Sequence, residues 1–169
     1  HLGEIAYTTD LVKPDVATIV NAAAAHLEGF GSLLGVARAK SEIFKGLGEK
    51  GLAIVNQDSQ FAEFWLGKLK YQPVQTFSPD NHNAQADFYA TDITIDLNGC
   101  AAFEMHSVQG NTDISLVVPG MHNVGNALVA AALTMAVGAT LEDVKYGLQD
   151  MQAVGGRLKV VPLTEQVRI

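Results

Sequence analysis

A few polar positions in this 169-residue chain have types and spacings that could do chemistry. His26 and Glu28 stand two apart in the Gly-rich stretch NAAAAHLEGFGS from Asn21 to Ser32. Imidazole and carboxylate both suit a divalent cation, or could approach the phosphates such a cation neutralises. The plainer reading is a loop His-x-Glu with no ligand. Lys40 lies on the apolar stripe of a helix expected to begin near Ser32 and to run on to Leu47, together with Leu33, Val36, Ala37, Phe44 and Leu47. It follows Leu33 by seven residues, so it points about 20° from that residue's direction, whereas Arg38 and Lys45 lie well away. A lysine on an inward stripe must be paired, neutralised, modified, or extended to water along its own stem. With its tip under the His26 loop it could hold phosphate or, carbamylated by carbon dioxide, offer an anionic metal ligand.

A second group is His122-Asn123-x-x-Asn126, at the expected start of a helix, where unpaired backbone amides meet side-chain amides. Asn123 could simply cap that helix. Asn126, in the first turn of an otherwise apolar helix, offers the donor and acceptor that an adenine edge requires. Arg157 follows two glycines and reads as a phosphate clamp or a surface arginine.

The elements that must position these groups are α/β in type. Gly3 to Val12 is predicted helical, ending before Pro14. Val16–Asn21, Leu52–Asn56 and Pro73–Phe77 read as strands, the first two as near-continuous apolar runs typical of parallel strands covered on both faces. A helix over Ser59–Leu69 falls between the second and third. Strand–helix alternation predicts a mainly parallel, Rossmann-like three-layer sheet with helices on both faces. The His26 loop would then lie beyond a strand's carboxyl end, where such sheets bind ligands. The period then changes to two: Ile93, Ile95 and Leu97, a two-residue turn at Asn98-Gly99, Ala101, Phe103 and Met105, and finally Ile114, Leu116 and Val118. This predicts a small antiparallel meander, a subsheet covering one edge of the core. A helix from Asn123 to Val137 ends at Gly138, and Thr140 with Asp143 begins another with Leu141, Val144, Leu148 and Met151 inward.

Composition narrows the function class. A formal charge of −7 and the lack of any basic run argue against nucleic-acid binding. One cysteine, Cys100, excludes an internal disulfide. No apolar run has the length to span a bilayer. A soluble, cytoplasmic protein without membrane insertion is expected. The sequence contains no G-x-x-x-x-G-K-[ST] loop, Cys-x-x-Cys or His-Glu-x-x-His. The residues by themselves support an α/β domain with a polar site at the strand ends, suited to a nucleotide.

NAAAAHLEGFGSLLGVARAKSEIF and the later GMHNVGNALVAAAL together resemble the central ATPase domain of the Mur ligases. The His-Leu-Glu-Gly-Phe-Gly-Ser form is most similar to the branch that adds D-alanyl-D-alanine to a UDP-N-acetylmuramoyl-tripeptide. The resemblance implies an ATP- and Mg2+-dependent ligase acting through an acyl phosphate. Carried over by motif, His26 stands near a magnesium ion and Lys40 is the lysine that, as a carbamate, helps hold it. Asn126 contacts adenine, Asn123 is its partner in the H-N-x-x-N motif, and Arg157 lies near the ATP. Gly155 replaces a usual proline and Ser41 a common glycine; neither removes a reacting group. The resemblance further implies that residues 1–169 are part of the central domain, without its phosphate loop, the UDP-binding domain or the C-terminal domain, and are inactive alone. The rivals are another Mur-type or folylpolyglutamate-type ligase, and a non-catalytic module that binds a nucleotide or a protein partner.

Overall fold

The computed structural model of the chain describes residues 2–22, 32–79 and 85–151. Among the described residues six strands form one sheet in chain order: β1 (Val16–Ile19), β2 (Leu52–Asn56), β3 (Val74–Ser78), β4 (Phe88–Ile95), β5 (Cys100–Ser107) and β6 (Gly110–Pro119). β1 to β4 pair in parallel, and β4 to β6 are antiparallel. The expected antiparallel meander is present and continues the parallel strands within one sheet. Residues 79–87 suffice for this because β4 overlaps β3 by two pairs only, Phe77 with Phe88 and Ser78 with Tyr89. β4 starts level with the end of β3, so the long crossover that parallel neighbours normally need is avoided. Asp87 fixes the junction by accepting hydrogen bonds from the Thr76 backbone N–H at 2.7 Å and hydroxyl at 3.1 Å.

The alternation in β4 also differs from the expected one. Phe88 and Ala90 are fully buried, Asp92 takes φ 53°, and the pairing with β5 shifts between Thr91 and Thr94. That bulge reverses the phase, so Ile93 packs on the core while Leu97 is 94% exposed in the turn. The turn itself spans Asp96 to Gly99. Asp96 Oδ1 accepts from the backbone N–H of both Asn98 and Cys100, and Gly99 takes φ 80°. The two-residue turns favoured in hairpins need positive φ at the first central position, here Asn98; among the described non-glycine residues only Lys13 and Asp92 have it.

The helices are α1 (Glu4–Val12), α2 (Leu33–Lys40), α3 (Ala62–Lys68), α4 (His122–Ala136) and α5 (Leu141–Gln149). Alternate residues of β2 face opposite ways. Ile54 joins Phe77, Phe88, Phe103, Met105 and Leu128 under α4 and α5. Ala53 and Val55 join Ala17, Ile19, Ala37, Phe44 and Trp65 under α2 and α3. The expected three layers thus hold over β1–β3. Trp65 is wholly buried and its indole N–H donates to the Ala37 carbonyl at 3.2 Å, which ties α3 to α2. Met151, expected on the inward stripe of α5, lies past the end of that helix and is exposed. No helix among the described residues is long and apolar enough to cross a membrane.

The single helix expected from Ser32 to Leu47 divides. Ser32 caps α2 by accepting from the Gly35 N–H at 3.1 Å, α2 stops at Lys40, and a 3-10 helix continues over Ser41–Gly46. α1 docks on this tighter segment. Glu42, 6% exposed, accepts from the backbone N–H of Gly3 at 2.9 Å and of Ala6 at 3.3 Å. Thr9 donates its hydroxyl to the Ile43 carbonyl at 3.0 Å, and a Cβ on Gly46 would lie 2.3 Å from that hydroxyl.

Candidate functional site

Parallel strands end on the same side, and their carboxyl ends leave a crevice unless side chains fill it. Here the crevice is a cleft of about 620 Å³. Val20, Asn21 and Ala22 line it after β1, Asn56 and Asp58 at the end of β2, and Pro79 after β3. The opposite wall is the start of α4, with Met121, His122 and Asn126. The volume falls within the range of small-ligand sites, roughly 300–1,000 Å³.

Its floor is a series of hydrogen bonds across three strand ends. Asn56, 9% exposed, donates through Nδ2 to the Val20 carbonyl at 3.2 Å and accepts at Oδ1 from the Asp58 N–H at 3.0 Å. The Asp58 carboxylate accepts from the hydroxyl of fully buried Ser78 at 2.8 Å.

α4 enters the site after Gly120, whose φ of 113° turns the chain out of β6. The helix approaches β3 closely, because a Cβ on Gly125 would lie 2.6 Å from Pro79 Cβ. Asn123 does not cap α4, because it lies inside the first turn. Its Nδ2 donates instead to the Pro119 carbonyl at 2.8 Å, and its Oδ1 accepts from Asn126 Nδ2 at 3.0 Å. Asn123 thus orients the Asn126 amide, which is exposed at the cleft wall. That first turn carries no acidic side chain, and the N–H groups of Asn123 and Val124 bond back to the Gly120 and Met121 carbonyls at 3.0 Å.

Lys40 is half-buried at the end of α2, and its Nζ donates to the Asn21 carbonyl at 2.7 Å. It borders a second, mostly apolar cavity of about 340 Å³ with Ile5, Ile19 and Ile43. Asn21 and Val20 line both spaces, so one strand end separates Lys40 from the larger cleft. The structure therefore places Asn21 and Asn126 in the lining of the cleft, with Asn123 bonded to Asn126 outside that lining, and sets Lys40 behind Asn21. His26, Glu28 and Arg157 lie outside the described residues.

Among the described residues no lysine or arginine lines the cleft, and no cluster of three His, Cys, Asp or Glu could hold a metal. The described lining offers the side-chain amides of Asn21, Asn56 and Asn126 and the carboxylate of Asp58. Asn56, Asp58 and Ser78 were missed by the sequence reading. The signal was available: Asn56-x-Asp58 follows an apolar strand run just as the His26 loop follows β1.

A family model described as the Mur ligase middle domain matches residues 1–134. The UDP-N-acetylmuramoyl-tripeptide–D-alanyl-D-alanine ligase of Escherichia coli (strain K12) is 48% identical over 165 residues, covering 98% of this chain and 36% of that protein. MurF from Acinetobacter baumannii, a solved structure, aligns with a TM-score of 0.89 at 38% identity, over 98% of this chain and 35% of that one. MurF ligase from Thermotoga maritima, solved in complex with ADP, gives 0.76 at 22% identity over 96% and 36%, a likeness that bears on the fold alone. The chain spans about a third of the length of these curated relatives.

Proposed function

The chain belongs to the Mur ligase family, matching its middle domain, and on that premise we propose that it is the nucleotide-handling part of a D-alanyl-D-alanine-adding ligase. The observation that carries this reading is Asn126, an amide oriented by Asn123 at the wall of a cleft beyond three parallel strand ends. The purine of ATP would lie there, with Asn126 Oδ1 accepting from the exocyclic amine and its remaining N–H donating to a ring nitrogen. ATP supplies the phosphoryl group that activates the terminal carboxylate of a UDP-N-acetylmuramoyl-tripeptide, and Mg2+ neutralises its phosphates.

This chain's own groups would hold and orient these partners. His26, and Lys40 as a carbamate, are the proposed magnesium ligands, with Arg157 near the phosphates. A carbamate would retain one N–H on Lys40, enough to keep the bond to the Asn21 carbonyl while its two oxygens turn elsewhere. The cavity of about 340 Å³ beside Lys40 offers room for the added group. Residues 1–169 alone are expected not to ligate, because the domains that bind the UDP-sugar and the dipeptide, and the phosphate loop, would be supplied by the rest of a longer chain.

The test is phosphate release by the product of the complete reading frame, given ATP, Mg2+ and UDP-N-acetylmuramoyl-tripeptide. D-alanyl-D-alanine is compared with single amino acids. Turnover with the dipeptide alone supports the reading, turnover with another amine moves it to a sister ligase, and no turnover with any amine favours a binding module.

A further inference from the structure

Among the described residues, the buried polar residues of the strands, Asn56 and Ser78, stand at the ends of β2 and β3. β2 is apolar from Leu52 to Val55 and becomes polar only at Asn56. Ser78 closes β3 with no exposure at all. Apolar residues would fill both positions without the demand for partners that buried polar groups impose. What the partners achieve is visible at β1. Two successive carbonyls, of Val20 and Asn21, are gripped by side chains from different elements: Asn56 Nδ2 of β2 on the first, Lys40 Nζ of α2 on the second. Asn56 is itself held by the Asp58 N–H, and Asp58 by Ser78. The two pinned peptides stand where the chain leaves β1 for the sequence that carries His26.

Resting on the ligase reading above, we infer that Asn56, Asp58 and Ser78 are positioning residues for the reaction. They form a clasp across the ends of β1, β2 and β3 that fixes the Val20–Asn21 backbone against Lys40. None of the three need touch a reacting atom. Their effect is to hold the groups on either side of Asn21 in one relative geometry, and misplacement by about 1 Å can cost roughly a hundredfold in rate.

The experiment uses the product of the complete reading frame, with ligation followed for Asn56→Ala, Asn56→Asp, Ser78→Ala, Asp58→Ala and Asp58→Asn, each below its own melting temperature. The expected result is a fall in kcat of about ten- to a hundredfold for Asn56→Ala, Ser78→Ala and Asp58→Ala. KM for ATP should change less than kcat, since Asn56 and Asp58 stand at the floor of the cleft and these changes leave Asn126 on its wall in place. Asp58→Asn, which keeps an acceptor for the Ser78 hydroxyl, should recover most of what Asp58→Ala loses. If Asn56→Ala does not fold, Asn56→Asp decides, because it removes the donor to Val20 and keeps the acceptor for Asp58. A lowered melting temperature with kcat unchanged would overturn the inference and leave the clasp purely structural. Equal losses in Asp58→Asn and Asp58→Ala would overturn it in favour of a direct role for the charge. No turnover in the unsubstituted protein would overturn the ligase reading, and this inference with it.

Discussion

Lys40 Nζ lies 2.7 Å from the carbonyl oxygen of Asn21, nineteen residues earlier in the chain. One hydrogen bond thus joins the end of α2 to the end of β1, and the proposed ligand-holding lysine is anchored to the lip of the cleft. In the complete ligase, Lys40→Ala is expected to lower kcat by about 10²–10³-fold, the usual cost of removing one group that stabilises developing charge. A short-chain carboxylic acid should restore part of the rate if Lys40 acts as a carbamate, because it replaces the lost carboxylate. Loss without rescue would support a plain ammonium, and full activity would remove Lys40 from the site.

Asn126 should show the opposite kinetic pattern. Asn126→Ala removes two hydrogen-bonding functions from the cleft wall and leaves the strand-end clasp intact. KM for ATP is expected to rise about tenfold, equivalent to roughly 1.4 kcal/mol, with little change in kcat. Steady-state kinetics with ATP as the varied substrate checks this, and a fall in kcat at constant KM would contradict the adenine assignment.

Glu42 should be a stability residue without a kinetic effect of its own. Its buried carboxylate receives the N–H groups of Gly3 and Ala6 at the start of α1, where the helix dipole favours negative charge. Glu42→Ala leaves those donors without their acceptor and is expected to cost about 2 kcal/mol, read as a lower urea midpoint. An unchanged midpoint would mean that α1 is held by its side-chain packing alone.

Each feature that the sequence revealed depends on near neighbours. The apolar runs of β1 and β2, the alternation of Ala101, Phe103 and Met105, and the Thr140–Asp143 capping box are all patterns within a few residues. What stayed hidden depends on distant partners. Glu42 finds Gly3 across 39 residues. The Asp58–Ser78 bond exists only because β2 and β3 pair in one register, Asn56 beside Phe77. The break after Lys40 is of the same kind: the apolar stripe fits a single helix, and the docking of α1 on Glu42, Ile43 and Gly46 accompanies a tighter turn. At the site, a strand-end rule pointed to the loop after β1. Applied equally to β2 and β3, it would have led to Asn56, Asp58 and Ser78.

Acid should weaken α5 in a predictable direction. The Thr140 hydroxyl, and after it the Thr140 backbone N–H, donate to the Asp143 carboxylate and hold its pKa below the ordinary value. A carboxyl with a depressed folded-state pKa contributes stability above its unfolded pKa, about 3.9, and loses it as pH falls through the folded value. Asp143→Ala should therefore be less stable than the unsubstituted chain at neutral pH, and the difference should shrink as pH falls below about 4. Urea midpoints at a series of pH values measure it, and a pH-independent difference would mean that the charge of the Asp143 carboxylate contributes nothing.

Two glycines in helices should respond oppositely to the same substitution. Gly147 in α5 has nothing within 4 Å of where a Cβ would stand, so Gly147→Ala should stabilise by about 0.5–1 kcal/mol through the restricted unfolded chain. Gly125 in α4 has Pro79 Cβ at 2.6 Å, and the atom it meets belongs to a proline ring with little freedom to move aside. Gly125→Ala must push α4 away from the end of β3, at an overpacking cost of about 1–3 kcal/mol that outweighs the same propensity gain. Because Pro79 and Gly125 both line the cleft, the displacement would also widen the wall that carries Asn126, and KM for ATP should rise with the loss of stability. Thermal melts of the two variants side by side decide the matter: equal and positive shifts would mean that α4 and β3 are not in close contact.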